Sequence, residues 1–341
     1  MLHFLLALII SNDIIICMKA VPPFSITRQA QDTMDAILEL VGRCQNAPAM
    51  IQPELLRHNR NRAVQASLSI EGNTLSLSDV TAIAEGIRPL SAPPREVLEV
   101  ENALALYEQS PSFNVYSQNN LLRAHGALMR GLIPQAGHFR AGGVGIGRGR
   151  QIVHIAPPAK RVPELVHNLL EFLKNGEAHW LARSCVFHYE FEFIHPFADG
   201  NGRMGRFWQT LFLAAQRPVL GVIPVETILK ERQHDYYAAL GASDNAGDSS
   251  MFIEFMLTAL RDALAAALPR LAVRTTPDTR LQQAARIFQT KWFSRRNYIA
   301  EFQNLAPLAA SRDLARGVAQ ALLERQGDRR DTRYRFLVKI N

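Results

Sequence analysis

Between Ile194 and Arg206 the chain reads IHPFADGNGRMGR, and most of its residue types suit one kind of chemistry. His195 is the side chain whose ordinary pKa fits proton transfer near neutrality. Asp199 offers a hard oxygen of the kind that holds Mg²⁺ beside phosphates. Gly200, Asn201 and Gly202 precede a helical pattern. The first amides of that helix therefore point back into the loop, with no Cβ at the glycines to block an anion. Arg203 and Arg206, three apart, put two guanidinium groups on one helix face. A base, a metal ligand and a phosphate cradle within one short loop make a site for phosphoryl-type transfer.

Such a loop works only between rigid elements, and helical periodicity dominates the flanks. Met34, Ile37, Leu38 and Val41 mark an amphipathic helix over 27–46. A second runs over 53–71 and stops at Gly72-Asn73. Others are expected at 78–85, 93–109 and 118–131, then at 161–175, 178–193, 202–216, 225–241 and 249–267. The stretch 142–155, GGVGIGRGRQIVHI, instead alternates around a Gly-Arg-Gly tip, the pattern of a short β-hairpin. Residues 269–280 carry two prolines and polar residues and are expected to be a linker. Helices near 281–291, 295–303 and 311–325 and a strand-like TRYRFLVKI follow. Trp180, Trp208 and Trp292 sit in apolar patterns and are expected in the core.

HPFADGNGRMGR matches the pattern H-x-F-x-[DE]-G-N-G-R-x-x-R at every defining position, and so resembles Fic domains. The likeness covers roughly residues 50–265. Gly137-His138-Phe139-Arg140 with Val144 and Ile146 resembles the start of the family's target-binding flap, HYEFEF at 188–193 the helix leading into the loop, and YYAAL at 236–240 the helix closing the core. The resemblance implies a mostly α fold, a helical Fic core with a small β-hairpin flap. It implies that AMP passes from ATP to a Tyr, Ser or Thr hydroxyl of a target protein. His195 would be the base, Asp199 the Mg²⁺ ligand, and Gly200, Asn201 and Gly202 the anion hole. Arg203 and Arg206 would grip phosphates, and Phe197 would anchor the loop. Val144, Ile146, Ile152 and His154 would line the flap. Removal of AMP, transfer of another phosphate-linked group, or a DNA-binding regulator with a nucleotide-sensing core remain alternatives, because the loop reads phosphates and not the rest of the donor.

Upstream, Ser67-Leu68-Ser69-Ile70-Glu71-Gly72 matches [ST]-x-x-x-E-[GN], which resembles the family's inhibitory helix motif. Ser67 and Glu71 are four apart and share a helix face. The resemblance implies that helix 53–72 inhibits the core by pairing Glu71 with Arg206.

Charge is unevenly placed. Residues 271–341 hold 14 Lys and Arg against 6 Asp and Glu, whereas the rest is near balance with 24 against 25. A basic tail module on a neutral body suggests a polyanionic partner for the tail. The module at 281–341 resembles a winged-helix domain, with Ser311 or Ala310 capping its recognition helix, Arg312 and Arg316 on one face, and Arg329, Arg330, Arg333 and Arg335 on the wing. DNA or a protein would be its partner, and a homodimer stays open. Cys17, Cys44 and Cys185 are far apart and indicate neither disulfides nor zinc, which fits a reducing cytoplasm. The apolar residues 1–17 are interrupted by Asp13, match neither an export signal nor a membrane span, and leave Met18 as an alternative start. The domains expected are thus an extended segment 1–26, a core 27–268, the linker 269–280 and the module 281–341.

Overall fold

The computed structural model describes residues 21–45, 53–148, 151–271, 276–302, 305–328 and 331–337; residues 1–17 and Arg329-Arg330 lie outside these. The described core consists of α1 (Arg28–Gln45), α2 (Pro53–Ile70), α3 (Leu77–Ala84), α4 (Pro94–Glu108) and α5 (Gln118–Leu128), then the hairpin β1 (Gly145–Arg148) and β2 (Gln151–Ile155). It continues through α6 (Val162–Asn175), α7 (Trp180–Ile194), α8 (Asn201–Gln216), α9 (Val225–Glu231), α10 (Gln233–Ala246) and α11 (Ser250–Leu271). A C-terminal unit follows, made of α12 (Pro277–Phe288), β3 (Phe293–Ser294), α13 (Arg295–Glu301), α14 (Pro307–Ala319), β4 (Leu323–Gln326) and β5 (Arg333–Phe336). The fold is predominantly helical.

Two apolar clusters meet at α7 and α8. On one side Met34, Ile37 and Val41 of α1 pack with Phe252, Met256 and Leu260 of α11 and with Cys185 and Tyr189 of α7. On the other, Val97, Leu121, Leu170 and Phe187 enclose Met204 and Trp208 of α8. Helix α7 buries residues all round, including Leu181, Val186, Phe187 and Phe191. A helix apolar on every face belongs inside a protein, and this central position makes α7 a fixed post from which the loop at 195–200 departs.

Several expectations are corrected. The helix expected over 225–241 is broken at Arg232, whose guanidinium reaches Asp262 on α11 at 2.7 Å while Gln233 donates to the Ile70 carbonyl at 3.0 Å. These tertiary contacts override a continuous periodic pattern. The expected linker is shorter than 269–280, because Pro269 lies within α11 and Pro277 starts α12. Pro277 stands at the first helical position, where a missing N–H costs nothing, and Thr276 caps the helix. The helix expected over 311–325 is α14, which starts at Pro307 and turns out at Ala321 (φ 56°) into β4. Ser311 therefore caps nothing: its hydroxyl donates to the Pro307 carbonyl inside the helix. Trp208 is fully buried, but Trp180 and Trp292 are half-buried, with the guanidinium groups of Arg217 and Arg335 over their rings.

In the C-terminal unit, β3, β5 and β4 form an antiparallel sheet in that order. Its core of Leu281, Phe293, Tyr298, Leu314 and Phe336 also contains the carboxylate of Asp313, 1% exposed. Arg280 binds that carboxylate through Nε at 2.6 Å and Nη2 at 2.9 Å, and the Tyr298 hydroxyl donates to it at 3.2 Å. Breaking a buried pair strands a charge, at a cost of about 3–5 kcal/mol. Arg280→Ala is therefore expected to unfold this unit at lower temperature while the core transition stays in place. Differential scanning calorimetry would show it, and an unmoved C-terminal transition would refute it.

Candidate active site

The loop begins with a strained residue. His195 caps α7 with φ 49° and ψ 61°, left-handed backbone that a residue with a Cβ adopts only when its surroundings enforce it. Arg140, 5% exposed, supplies that enforcement. Its Nε donates to the His195 carbonyl at 2.7 Å and its Nη2 to the carbonyls of Ile194 at 3.2 Å and Pro157 at 2.5 Å. Its Nη1 donates to the Gly142 carbonyl at 2.8 Å. One guanidinium thus joins the end of α7 to both feet of the hairpin, and burial lowers its pKa from the ordinary arginine value.

Phe197 is fully buried and stacks on the His125 ring at a 3.6 Å centroid distance. Asn201 clamps it further: the Phe197 amide donates to Asn201 Oδ1 at 2.8 Å, and Asn201 Nδ2 donates to the Phe197 carbonyl at 2.9 Å. The Asn201 side chain is therefore spent on holding the loop, and only its backbone amide is available to an anion. His125 itself accepts from the Gly137 amide through Nδ1 at 2.9 Å, which leaves the ring proton on Nε2, 3.0 Å from the Asp199 carbonyl. Burial, with help from Arg203, pulls its pKa down to about 4, so the ring is neutral and its tautomer fixed.

Gly200 (φ 84°) is the left-handed residue that precedes α8, and no side chain caps this helix. Among the described residues the amides of Asn201, Gly202 and Arg203 donate to no acceptor, so three N–H groups are unbonded at this helix start. Asp199 stands beside them with its side chain 45% exposed; Oδ1 accepts from the Gly200 amide at 2.6 Å and from Arg203 Nη2 at 3.0 Å. Among the described residues no group of three or more His, Cys, Asp and Glu converges as for a metal.

The two arginines do not face one anion. Arg203 turns to Asp199, with Glu99 3.9 Å away. Arg206, 2% exposed, is held by α2: Nε donates to Ser67 Oγ at 3.0 Å, and Nη2 to the Ser67 carbonyl at 3.0 Å and to Glu71 Oε1 at 2.7 Å. Burial works against the Arg206 charge, but Glu71, Tyr236 and Glu192 together raise its pKa above the ordinary value. The Glu71 carboxylate lies so close over Gly202 that a Cβ there would collide with Oε1. It thus stands beside the start of α8. Gly72 (φ 95°) lets the chain leave α2, closed by the Asn73 amide on the Leu68 carbonyl at 3.1 Å.

In the hairpin Ile146 pairs with His154 and Gly147 with Ile152, with a bulge between Ile146 and Gly147, while the Val144 carbonyl accepts from the Ala156 amide at 3.1 Å. The tip residues Gly149 and Arg150 lie outside the described residues.

Sequence reasoning missed His125 and Glu192 and gave Arg140 no role of its own. A lone histidine on an apolar helix face carries no signal that it supports a loop. Glu192 is one turn from His195 on α7, and among the described residues its buried Oε1 has no hydrogen-bond donor. His188 Nε2 is 3.9 Å away, but that nitrogen faces the Tyr236 hydroxyl at 3.0 Å, and burial holds the imidazole down at about 3. Burial, opposed by Arg206 and aided by Glu71, pushes the Glu192 carboxyl up to about 8.

Two outcomes follow from these supports. His125→Ala leaves the Gly137 amide and the Asp199 carbonyl unpaired and Phe197 without its stacking partner, so a loss of about 2–4 kcal/mol is expected in urea unfolding. A loss near zero would mean the loop holds itself. For Glu192, the folded state keeps a proton that the unfolded chain releases above its ordinary value of 4.5. Stability therefore falls as pH rises between that value and about 8, by at most about 1.4 kcal/mol per pH unit. Glu192→Gln lacks this slope and should gain on wild type as pH rises. Parallel stability curves would contradict a neutral Glu192.

Residues 115–213, which include the whole loop, match the Fic/DOC family. A crystal structure of a Fic family protein from Desulfovibrio desulfuricans G20 is similar at 42% identity and a TM-score of 0.72, covering 94% of this chain and 100% of that one. The protein adenylyltransferase fic-1 of Caenorhabditis elegans is 28% identical over 204 residues, which are 57% of this chain and 38% of the relative. The protein adenylyltransferase Fic of Nematostella vectensis is 26% identical over 243 residues, 66% of this chain and 53% of the relative. The chain thus spans between about a third and a half of the length of these curated relatives. With the loop complete and a full-length structural relative at this identity, the chain belongs to the Fic family.

Proposed function

We propose that the chain is a protein adenylyltransferase that moves AMP from ATP to a hydroxyl side chain of a target protein and is inhibited by its own α2. The observation that carries the reading is the set of three open amides at the start of α8, placed directly after His195 and beside Arg203. The names of the curated relatives support the same activity.

In this mechanism the amides of Asn201, Gly202 and Arg203 and the Arg203 guanidinium neutralise phosphate oxygens, where fixed dipoles do most good. The His195 ring takes the proton of the target hydroxyl as its oxygen forms a bond to the α-phosphorus. The bond from that phosphorus to the bridging oxygen breaks, and pyrophosphate leaves with the electron pair. Asp199 fits Mg²⁺: it is half exposed, and hydrogen bonds to described residues occupy only Oδ1. One or two carboxylates with phosphate oxygens suffice for that ion, and Mg²⁺ there would neutralise charge on the phosphates. The hairpin has two strands, and an unpaired edge suits main-chain pairing with an extended target segment.

Inhibition follows from charge. A carboxylate over Gly202 occupies the space of a phosphate and holds the Arg206 that would otherwise bind one. A charge-assisted hydrogen bond contributes about 1.5–3 kcal/mol, and its release corresponds to roughly a tenfold to hundredfold gain in rate.

We also infer that the C-terminal unit is a winged-helix module. Support comes from its order of helix, strand, two helices and hairpin, with the hairpin strand β5 central in the sheet.

The test incubates protein with Mg²⁺ and ATP labelled at the α-phosphate. Glu71→Gly is expected to raise label on protein about 10- to 100-fold, and His195→Ala in that background to lower it at least about a hundredfold. Label that survives His195→Ala would remove the base. Folded Glu71→Gly that binds ATP, transfers nothing, yet strips AMP from modified protein would replace transfer by removal.

A further inference from the structure

Helix α8 has two glycines about one turn apart, and a carboxyl group lies over each. Glu71 Oε1 occupies the place of a Cβ on Gly202, and a Cβ on Gly205 would come within 2.8 Å of Glu192 Oε1. Arg206 follows Gly205 directly, and of the two carboxyls it is hydrogen-bonded only to Glu71, through Nη2 at 2.7 Å. The Glu192 side chain is 14% exposed, and its Oε1 has no donor among the described residues.

The titratable groups that face Glu192 are His188 on its own helix, Arg206 on α8, Glu71 on α2, and Tyr236 and Tyr237 on α10. His188 offers it no proton. The His188 Nδ1 lies 2.6 Å from Gln209 Oε1, an acceptor, so the ring hydrogen sits there and Nε2 accepts from the Tyr236 hydroxyl. Burial keeps both phenols protonated. Among these groups Arg206 is therefore one cation set against two carboxyls.

One buried cation balances one carboxylate. While Glu71 holds that place, a charge on Glu192 would have an anion beside it and no cation left over, so Glu192 keeps its proton. Without Glu71 the balance inverts, because Arg206 is then a buried cation and Glu192 is the carboxyl left to answer it. We propose that Glu192 is the reserve counter-ion of Arg206: when α2 withdraws Glu71, Glu192 releases its proton to water and its carboxylate balances the guanidinium. Withdrawal of Glu71 and loss of one proton are then a single event. Glu192 is thus a positioning residue that keeps Arg206 in the core while α2 is away. The docked state binds one proton more than the released state, so docking is tightest at low pH and loosens as pH rises toward about 8. The charge relation stands on the placement of these groups, whereas its role as control of activity rests on the proposed transfer.

A protonated carboxyl has an infrared carbonyl stretch that a carboxylate lacks. The experiment records this region for the full chain at about pH 6.5, between the ordinary carboxyl value of 4.5 and about 8. Wild type is expected to show a band that Glu192→Gln lacks. Glu71→Gln, which keeps the size but not the charge, is expected to lose the same band. Persistence of the band in folded Glu71→Gln would overturn the proposal, and so would its absence from wild type. Urea unfolding asks the same question without assigning a band. The folding constant of Glu192→Gln relative to wild type is expected to rise with pH by up to about tenfold per unit, and that of the double variant relative to Glu71→Gln to stay flat. Equal rises in both backgrounds would mean that Glu192 keeps its proton without Glu71, against the proposal. With labelled ATP at limiting concentration, wild-type transfer as a fraction of Glu71→Gly transfer is expected to rise with pH, and in the Glu192→Gln background to stay flat. Absence of transfer in every variant would refute the activity alone, and the infrared band would still decide the coupling.

Discussion

A peptide that leaves a helix in left-handed geometry must be held there, and at His195 the holder is the Arg140 guanidinium. Four of its five donors go to backbone carbonyls of Ile194, His195, Gly142 and Pro157, and among the described residues no carboxylate pairs with it. Carbonyl acceptors leave the cation's charge uncancelled beside the loop. The loop, the end of α7 and the base of the hairpin are thereby one mechanical unit, and the imidazole and the unpaired strand edge keep their relation to each other.

The second constraint is the packing of Phe197 between His125 and the backbone clamp of Asn201. Aromatic stacking at 3.6 Å and paired hydrogen bonds fix one ring face and both peptide groups of one residue. With Phe197 pinned, Gly200 sits where α8 must start, and its amides face outward. Preorganisation here comes from ordinary packing: the dipoles are aimed before any ligand arrives.

The candidate site was legible in the sequence because its parts are contiguous. His195, Asp199, the glycines and Arg203 fall within one turn and one helix start, so their types and spacing described the site without a fold. The supports were not legible, since His125 and Arg140 act on the loop from other segments and nothing local marks them. Asn201 shows the limit most clearly: its position said anion hole, and its side chain turned out to serve Phe197. Ser67 and Glu71 were legible only through their likeness to a known motif, because their partner Arg206 is 135 or more residues away. Helix existence followed from periodicity, while the break at Arg232 and the early start of α14 depended on tertiary contacts and on turn geometry at Ala321.

Arg206 is buried as a cation, and such a group is tolerated only with an anion against it. The position opposite it is therefore an anion site, filled here by Glu71. On the proposed reading, a nucleotide entering the loop displaces the Glu71 carboxylate from the same cation, so binding is an exchange of one anion for another. An exchange cancels most of the desolvation cost that separate capture would carry. It also means that inhibitor and substrate share one thermodynamic cycle: whatever shifts the docking of α2 shifts nucleotide affinity by the same factor in the opposite sense.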